Sequence, residues 1–265
     1  MENQELFRRN KAALKNQIDW CRKIASLSGG SEIKREGYRY IKDAALDRLC
    51  TAFDLELPEY AGVLADEIRS GIAPNKLLTD SLASGEQTEQ ALRDAGFRNY
   101  FEQTGMVYPM PQDASSLPAE EADQKSHIRM IARGESLREW LETFELAFQN
   151  EGAPPSNLDE LTALYGQVNQ DEAYYFFSYE EDGITLGTTF VFFLDGIGGI
   201  HAVGTRPEAR GRGIASAMVK HVLHFAQEQG CIECVLQASP MGRPVYDRLG
   251  FLTAGPIRHW KLELE

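Results

Sequence analysis

Apolar positions change their spacing partway along the chain. From Glu5 to Ile24, residues Leu6, Ala13, Leu14, Ile18, Trp20 and Cys21 recur at a loose helical period, and the run stops near Ser28-Gly29-Gly30. The same pattern over Asp43–Phe53 and Tyr60–Ser70 predicts two more helices. Thr88–Ala95 reads as a short helix closed by Gly96, and Phe97–Met110 as strand. The first 110 residues therefore look largely helical.

Beyond residue 126 the grammar is different. Ile128–Ala132 reads as strand, and Ser136–Phe148 as an amphipathic helix with Leu137, Trp140, Leu141, Phe144 and Phe148 on one side. Asn157–Val168 is a second helix. Tyr174–Tyr179 and Ile184–Phe193 are aromatic and β-branched runs joined by Glu180-Glu181-Asp182-Gly183, a hairpin signal. Gly199–Thr205 follows as strand, Gly213–Gln229 as a long helix, Glu233–Ala238 as strand and Pro244–Leu249 as a short helix. Phe251–Leu264 then provides two last strands. The order β-α-α-β-β-β-α-β-α-β-β is that of a mixed α/β domain of about 140 residues. Between the halves, Pro109–Ser126 is rich in Pro, Ser, Ala and acids, as expected of an exposed connection. The division expected is a domain at 1–110, a linker at 111–125 and a second domain at 126–265.

Composition narrows the class. With 27 Lys+Arg against 40 Asp+Glu, the net charge of -13 speaks against partners that need basic surface, nucleic acid and anionic membrane alike. No apolar run reaches the roughly 18 residues that span a bilayer. The polar start MENQELFRRNKAALKNQ lacks the apolar stretch of a signal peptide. Four cysteines, Cys21, Cys50, Cys231 and Cys234, are too few for a disulfide framework, so a reducing cytoplasmic setting is expected. Residues 121–203 carry 4 basic and 15 acidic side chains, whereas 204–265 carry 8 and 6.

The stretch His201-Ala-Val-Gly-Thr-Arg-Pro-Glu-Ala-Arg-Gly-Arg-Gly-Ile-Ala-Ser216 carries the chemistry. A strand ends, a loop of Arg and Gly follows, and a long helix begins. Amides in the first turn of a helix have no internal partner and sit at the positive end of its dipole. A loop without bulky side chains lets an anion reach them. Arg210 and Arg212 add guanidinium forks suited to phosphate, while Gly211 and Gly213 permit torsions that a Cβ penalises. The competing reading is a tight turn with solvated arginines. A Gly-Lys-Ser/Thr phosphate loop is absent, and Gly211-Arg-Gly213-Ile-Ala-Ser216 fails the dinucleotide pattern at its third glycine.

Arg210-Gly-Arg-Gly213-Ile-Ala215 resembles the coenzyme A loop, Gln/Arg-x-x-Gly-x-Gly/Ala, of the GCN5-related N-acetyltransferases (GNAT). Farther on, strand, turn and short helix in Leu236-Gln-Ala-Ser239 through Tyr246-Asp-Arg-Leu-Gly250-Phe251 are similar to the same family's closing motif. The resemblance covers roughly 126–265. It implies acetyl transfer from acetyl-CoA as cosubstrate to an amine, with no metal. It implies that backbone around Ala202, Val203 and Thr205 pairs with the pantetheine arm, and that Arg210, Gly211, Arg212, Gly213, Ile214 and Ala215 cradle the pyrophosphate. The thioester would lie where two strands splay, and Tyr246 would protonate the leaving thiolate.

Where many relatives carry a basic Glu, the matching residue is Gly199, so His201 on the same strand face is the candidate base, with plain packing as its alternative. Ser239 either caps the short helix or touches the coenzyme. Cys231 and Cys234 form a single CxxC without a second pair and read as buried or edge thiols. His221 and His224 read as a solvated helix face. Leu92-Arg-Asp-Ala-Gly96-Phe97 looks like the ending of the same fold, so the first half is either a degenerate copy or a plain helical accessory domain. The acid-rich 121–203 suggests a cationic acceptor, a small molecule or a lysine side chain, with solubility as the alternative. Whether the chain is a monomer or a homodimer stays open. The rival function is a silent acyl-CoA-binding module.

Overall fold

The computed structural model describes residues 2–43, 50–149 and 157–264. The chain divides into two compact units. One comprises Met1–Val107 with Gln237–Pro244 and Leu252–Glu265; the other comprises Tyr108–Leu236 with Val245–Phe251. The sequence division assigns all of 126–265 to one domain, whereas these contacts group its last strand with the first half.

In the first unit, α1 (Glu2–Ser28) precedes a hairpin, β1 (Ser31–Arg35) and β2 (Tyr38–Lys42). Then come β3 (Thr51–Phe53), α2 (Tyr60–Arg69), β4 (Leu77–Asp80), α3 (Ser81–Asp94) and β5 (Phe97–Pro109). The largely helical expectation fails here, because short strands of three to five residues give little period-2 signal. Of the helix expected over Asp43–Phe53, residues 44–49 lie outside the described residues, and Thr51–Phe53 is strand. Helix α3 is longer than expected. It runs through a non-helical Gly85 and is capped by Asp80, whose side chain accepts from the Leu82 amide.

In the second unit, α4 (Ala122–Ser126), β6 (Ile128–Met130), α5 (Arg138–Phe148) and α6 (Leu158–Val168) precede β7 (Tyr174–Glu181), β8 (Ile184–Leu194) and β9 (Ile197–Thr205). α7 (Ile214–Glu228), β10 (Glu233–Ala238) and α8 (Arg243–Leu249) follow. Phe251–Leu264 forms one strand, β11 (Leu252–Leu262), instead of two; it lies between β4 and β5 in the first unit, antiparallel to both.

The pairing pattern repeats. β1–β2 and β2–β3 are antiparallel, and β3–β4 is parallel across α2. β7–β8 and β8–β9 are antiparallel, and β9–β10 is parallel across α7. Each series then adds a helix ending in Gly-Phe, Gly96-Phe97 or Gly250-Phe251. The strands of the first unit do not suit a plain helical accessory domain.

Each core has a tryptophan anchor. Trp260 packs with Tyr38, Tyr40, Leu64 and Leu92 and donates to Thr79 Oγ1 at 2.9 Å. Trp140 meets Phe176 edge-on at 5.3 Å and donates to the Phe177 carbonyl at 2.9 Å. Full burial of each such side chain is worth roughly 1.5–3 kcal/mol, and the hydrogen bond removes the penalty of a buried indole N–H. Two glycines let helices onto opposite faces of β8 and β9. A Cβ at Gly187 would stand 2.6 Å from Ile214 Cγ2 of α7, and one at Gly204 would stand 2.8 Å from Ala147 Cβ of α5.

The connection at 109–126 is mostly exposed, yet it is laid along α7. Gln227 donates to the Pro111 carbonyl, His224 meets the Pro118 carbonyl at 3.0 Å, His221 meets Glu120 at 2.8 Å, and Lys220 pairs with Glu121. Leu117 is buried beneath this strap. The two histidines expected on a solvated face therefore tether it.

Candidate functional site

The site is built where β9 leaves β10 and turns into α7. The β9–β10 ladder runs Glu233↔Ile197, Cys234↔Gly198, Val235↔Gly199 and stops, although both strands continue. From Ile200 onward β9 is paired with β8. Against β8, two residues, Ala202 and Val203, oppose the single Thr189, so β9 bulges there. Ala202 has φ +54°, an uncommon left-handed conformation for a side-chain-bearing residue. Two hydroxyls hold the bulge: Thr188 donates to the Ala202 carbonyl at 2.9 Å, and Thr189 to the His201 carbonyl at 3.1 Å. The sequence offers no sign of this, because alanine is not a left-handed marker.

Past Thr205 a short 3-10 turn, Pro207–Ala209, leads into the loop. Gly211 (φ +78°) and Gly213 (φ +84°) are both left-handed, and a Cβ on either would meet no atom within 4 Å. Their requirement is conformational, not steric crowding. Gly213 is the N-cap of α7, and among the described residues no side chain caps the first turn. Those amides, at the positive end of a 15-residue helix, are offered to an outside acceptor. Ile214 is buried under Gly187 and anchors the turn, while Ala215 is half-buried.

Neither loop arginine is idle. Arg210 donates to the Ala147 carbonyl at 3.0 Å and the Thr205 carbonyl at 3.4 Å. Arg212 donates from one nitrogen, Nη2, to both oxygens of Glu181, at 2.5 and 2.6 Å, beside the β7–β8 turn. That pairing holds the Glu181 carboxyl below its ordinary range. Glu181 also accepts from the Tyr179 hydroxyl at 3.3 Å. A partner 31 residues upstream had no local sequence signal.

His201 is half-buried, with its ring flat against Phe190 and Phe192 at centroid distances of 5.1 and 5.4 Å. Loss of water around the ring pushes its pKa down to about 3. It is therefore neutral at physiological pH but a weak proton acceptor. Tyr246 on α8 is 8% exposed and meets Phe251 edge-on at 5.6 Å. Burial raises its phenol above the usual tyrosine value, so it stays protonated. Among the described residues its hydroxyl has no hydrogen-bond partner in the protein. Ser239 groups with the first unit, and its Oγ accepts from the Gly242 amide at 3.1 Å, the local turn role.

The carboxylates of 121–203 are scattered, and many are already paired. Glu135 and Glu180 meet Arg129, Glu142 and Asp159 meet Arg138, Glu121 meets Lys220, and Glu181 meets Arg212. The first unit lacks the loop chemistry. Its β3–α2 connection reads Asp54-Leu-Glu-Leu-Pro-Glu59, and Leu92 stands four residues before Gly96 where Tyr246 stands four before Gly250. Acidic groups there oppose a phosphate.

Residues 135–251 match the model of the acetyltransferase (GNAT) family. No curated protein sequence matches the chain significantly. Among solved structures, a GCN5-related N-acetyltransferase from Kribbella flavida superposes over 92% of this chain and 96% of its own, at 14% identity and a TM-score of 0.63. A protein of unknown function from Staphylococcus epidermidis covers 89% and 96%, at 14% identity and a TM-score of 0.64. A GCN5-related N-acetyltransferase from Sphaerobacter thermophilus covers 80% of this chain and 72% of its own, at 22% identity and a TM-score of 0.59. At these identities the likeness is one of fold. The first and second of these span both units.

Proposed function

Taking residues 135–251 as a GNAT-family acetyltransferase domain, we propose that this protein moves an acetyl group from acetyl-CoA to a primary amine. The observation that carries the reading is the strand–loop–helix turn with left-handed Gly211 and Gly213, opening uncapped α7 amides beside a β9 edge released from β10. The pyrophosphate is proposed to sit on the amides of Gly211–Ala215, with Arg210 and Arg212 beside it. The pantetheine arm is proposed to add along Ala202, Val203 and Thr205.

In the reaction the amine nitrogen attacks the thioester carbonyl, the carbon–sulphur bond breaks, and the amine proton leaves. Tyr246 is the proposed donor to the thiolate. Burial keeps the phenol protonated, which suits a donor and makes complete transfer depend on recovering a proton from water. His201 is a poor candidate for general base on its lowered pKa, so water is the preferred acceptor of the amine proton. The acceptor is proposed as a cationic small molecule or a lysine side chain, on the ground of the acid-rich 121–203. The ion pairs already formed there weaken that ground, and neutral amines belong in the test.

The test is coenzyme A release with an amine panel, run on wild type and Tyr246→Phe. Turnover that falls steeply in the variant supports the reading. A second reading, an acyl-CoA-binding module without catalysis, draws on the absent Glu at Gly199 and the weak basicity of His201. It gains if acetyl-CoA raises Tm while no amine is acetylated. If acetyl-CoA leaves Tm unchanged far above any plausible Kd, both readings fail.

A further inference from the structure

We propose that Cys231, Cys234 and Met110 form a three-sulphur site for a soft monovalent metal ion, copper(I) by its chemistry. The three lie in one unit, and backbone bonds fix their approach. The Met110 amide donates to the Ile232 carbonyl at 3.0 Å, seating the methionine against the CxxC segment. The Ile232 amide in turn donates to the Gly196 carbonyl at 2.9 Å, folding that segment onto the start of β9.

Both thiols converge on Gly198. A Cβ built there would lie 3.1 Å from Cys234 Sγ and 3.2 Å from Cys231 Sγ, so glycine leaves the room the sulphurs occupy. Cys234 donates its thiol to Met110 Sδ at 3.9 Å. In a planar three-sulphur site with metal–sulphur bonds of about 2.3 Å, neighbouring sulphurs stand roughly 4.0 Å apart. The observed pair already has that spacing.

The donor set selects the ion. Two thiolates and a thioether are soft ligands, and soft ligands favour copper(I). Zinc takes four ligands in structural sites, and three sulphurs fall one short of that. Binding replaces two thiol protons, released to water, with two metal–sulphur bonds; the ion arrives as copper(I), carried by a small thiol, and no electron moves. Cys234 pairs with Gly198 one register step before the β9–β10 ladder ends. The bound ion would therefore clamp the closed end of the splay, a structural role independent of the coenzyme reading.

The test is anaerobic titration of the full chain with copper(I) against a chromogenic copper(I) chelator. One equivalent withdrawn by the wild type, and X-ray absorption showing three sulphurs at about 2.3 Å, is the expected result. Cys231→Ser and Cys234→Ser should each lose the ion, and Met110→Leu should weaken it less, because a thiolate is the stronger soft ligand. Cys21→Ser/Cys50→Ser should bind as wild type. No competition with the chelator, a two-sulphur absorption signature, or loss of the ion in Cys21→Ser/Cys50→Ser with retention in Cys231→Ser would overturn the proposal. The absorption measurement uses wild type alone, so misfolding of a variant does not blunt the test.

Discussion

Replacing Gly213 with Ala isolates one physical term. The residue has φ +84°, and a Cβ there meets nothing within 4 Å. No clash contributes, so the penalty is the left-handed conformation itself, about 1–2 kcal/mol for an L-residue. If the loop keeps its shape, that energy comes out of global stability. For a chain of this size it lowers Tm by roughly 2–4 °C per kcal/mol. If the loop instead relaxes, the amides of Ile214 and Ala215 swing away, and the same 1–2 kcal/mol appears as an acetyl-CoA affinity about 5- to 30-fold weaker. The assay is paired: thermal unfolding of the free protein and calorimetric titration with acetyl-CoA. Gly213→Asn is the control, because asparagine tolerates the left-handed region better than alanine. It should lose less on both readouts. Gly187→Ala supplies the contrast, since its Cβ would stand 2.6 Å from Ile214 Cγ2 and its penalty is steric. Unchanged Tm and unchanged affinity in Gly213→Ala, or behaviour indistinguishable from that of Gly213→Asn, would refute the backbone argument.

Three other outcomes follow from the same geometry. Tyr246→Phe should lower kcat by about 100- to 10,000-fold, the usual reach of general acid–base groups, with little change in acetyl-CoA affinity; a fall in affinity with kcat preserved assigns Tyr246 to packing. Glu181→Gln should tighten acetyl-CoA modestly, because an exposed ion pair is weak and its removal frees Arg212 for phosphate; weaker binding in a titration would mean that Glu181 positions the arginine. His201 and His259 have folded pKa values near 3 and 4, both pushed down chiefly by burial. Between those values and the unfolded value of about 6.5 the unfolded chain binds more protons, so their contribution is whole above pH 6.5 and is lost as pH falls. Tm measured from pH 7 to 5 should drop, and His201→Gln should flatten the slope; an unchanged slope in that variant contradicts the assignment.

Spacing and chemistry in the sequence determined the β9–loop–α7 turn, because glycine torsions, helix start and guanidinium charge are local properties that Arg210–Ala215 carry by themselves. Trp140 and Leu141 marked the buried side of α5 for the same reason, one helical period. Tertiary structure decided what locality cannot encode. The strands β1 to β4 are too short to announce themselves and exist because neighbours pair with them. Arg212 reaches Glu181, and His221 and His224 hold the 109–126 strap, only because folding brings distant segments together. His201 looked like a base in the sequence, where an imidazole near neutrality is the default. Two phenylalanines stacked on its ring remove the water that a cation needs. The CxxC lacked partners along the chain, and Met110, more than a hundred residues away, became its neighbour through one backbone hydrogen bond. Local propensity names the parts, and desolvation and long-range pairing, which depend on the whole arrangement, set their chemistry.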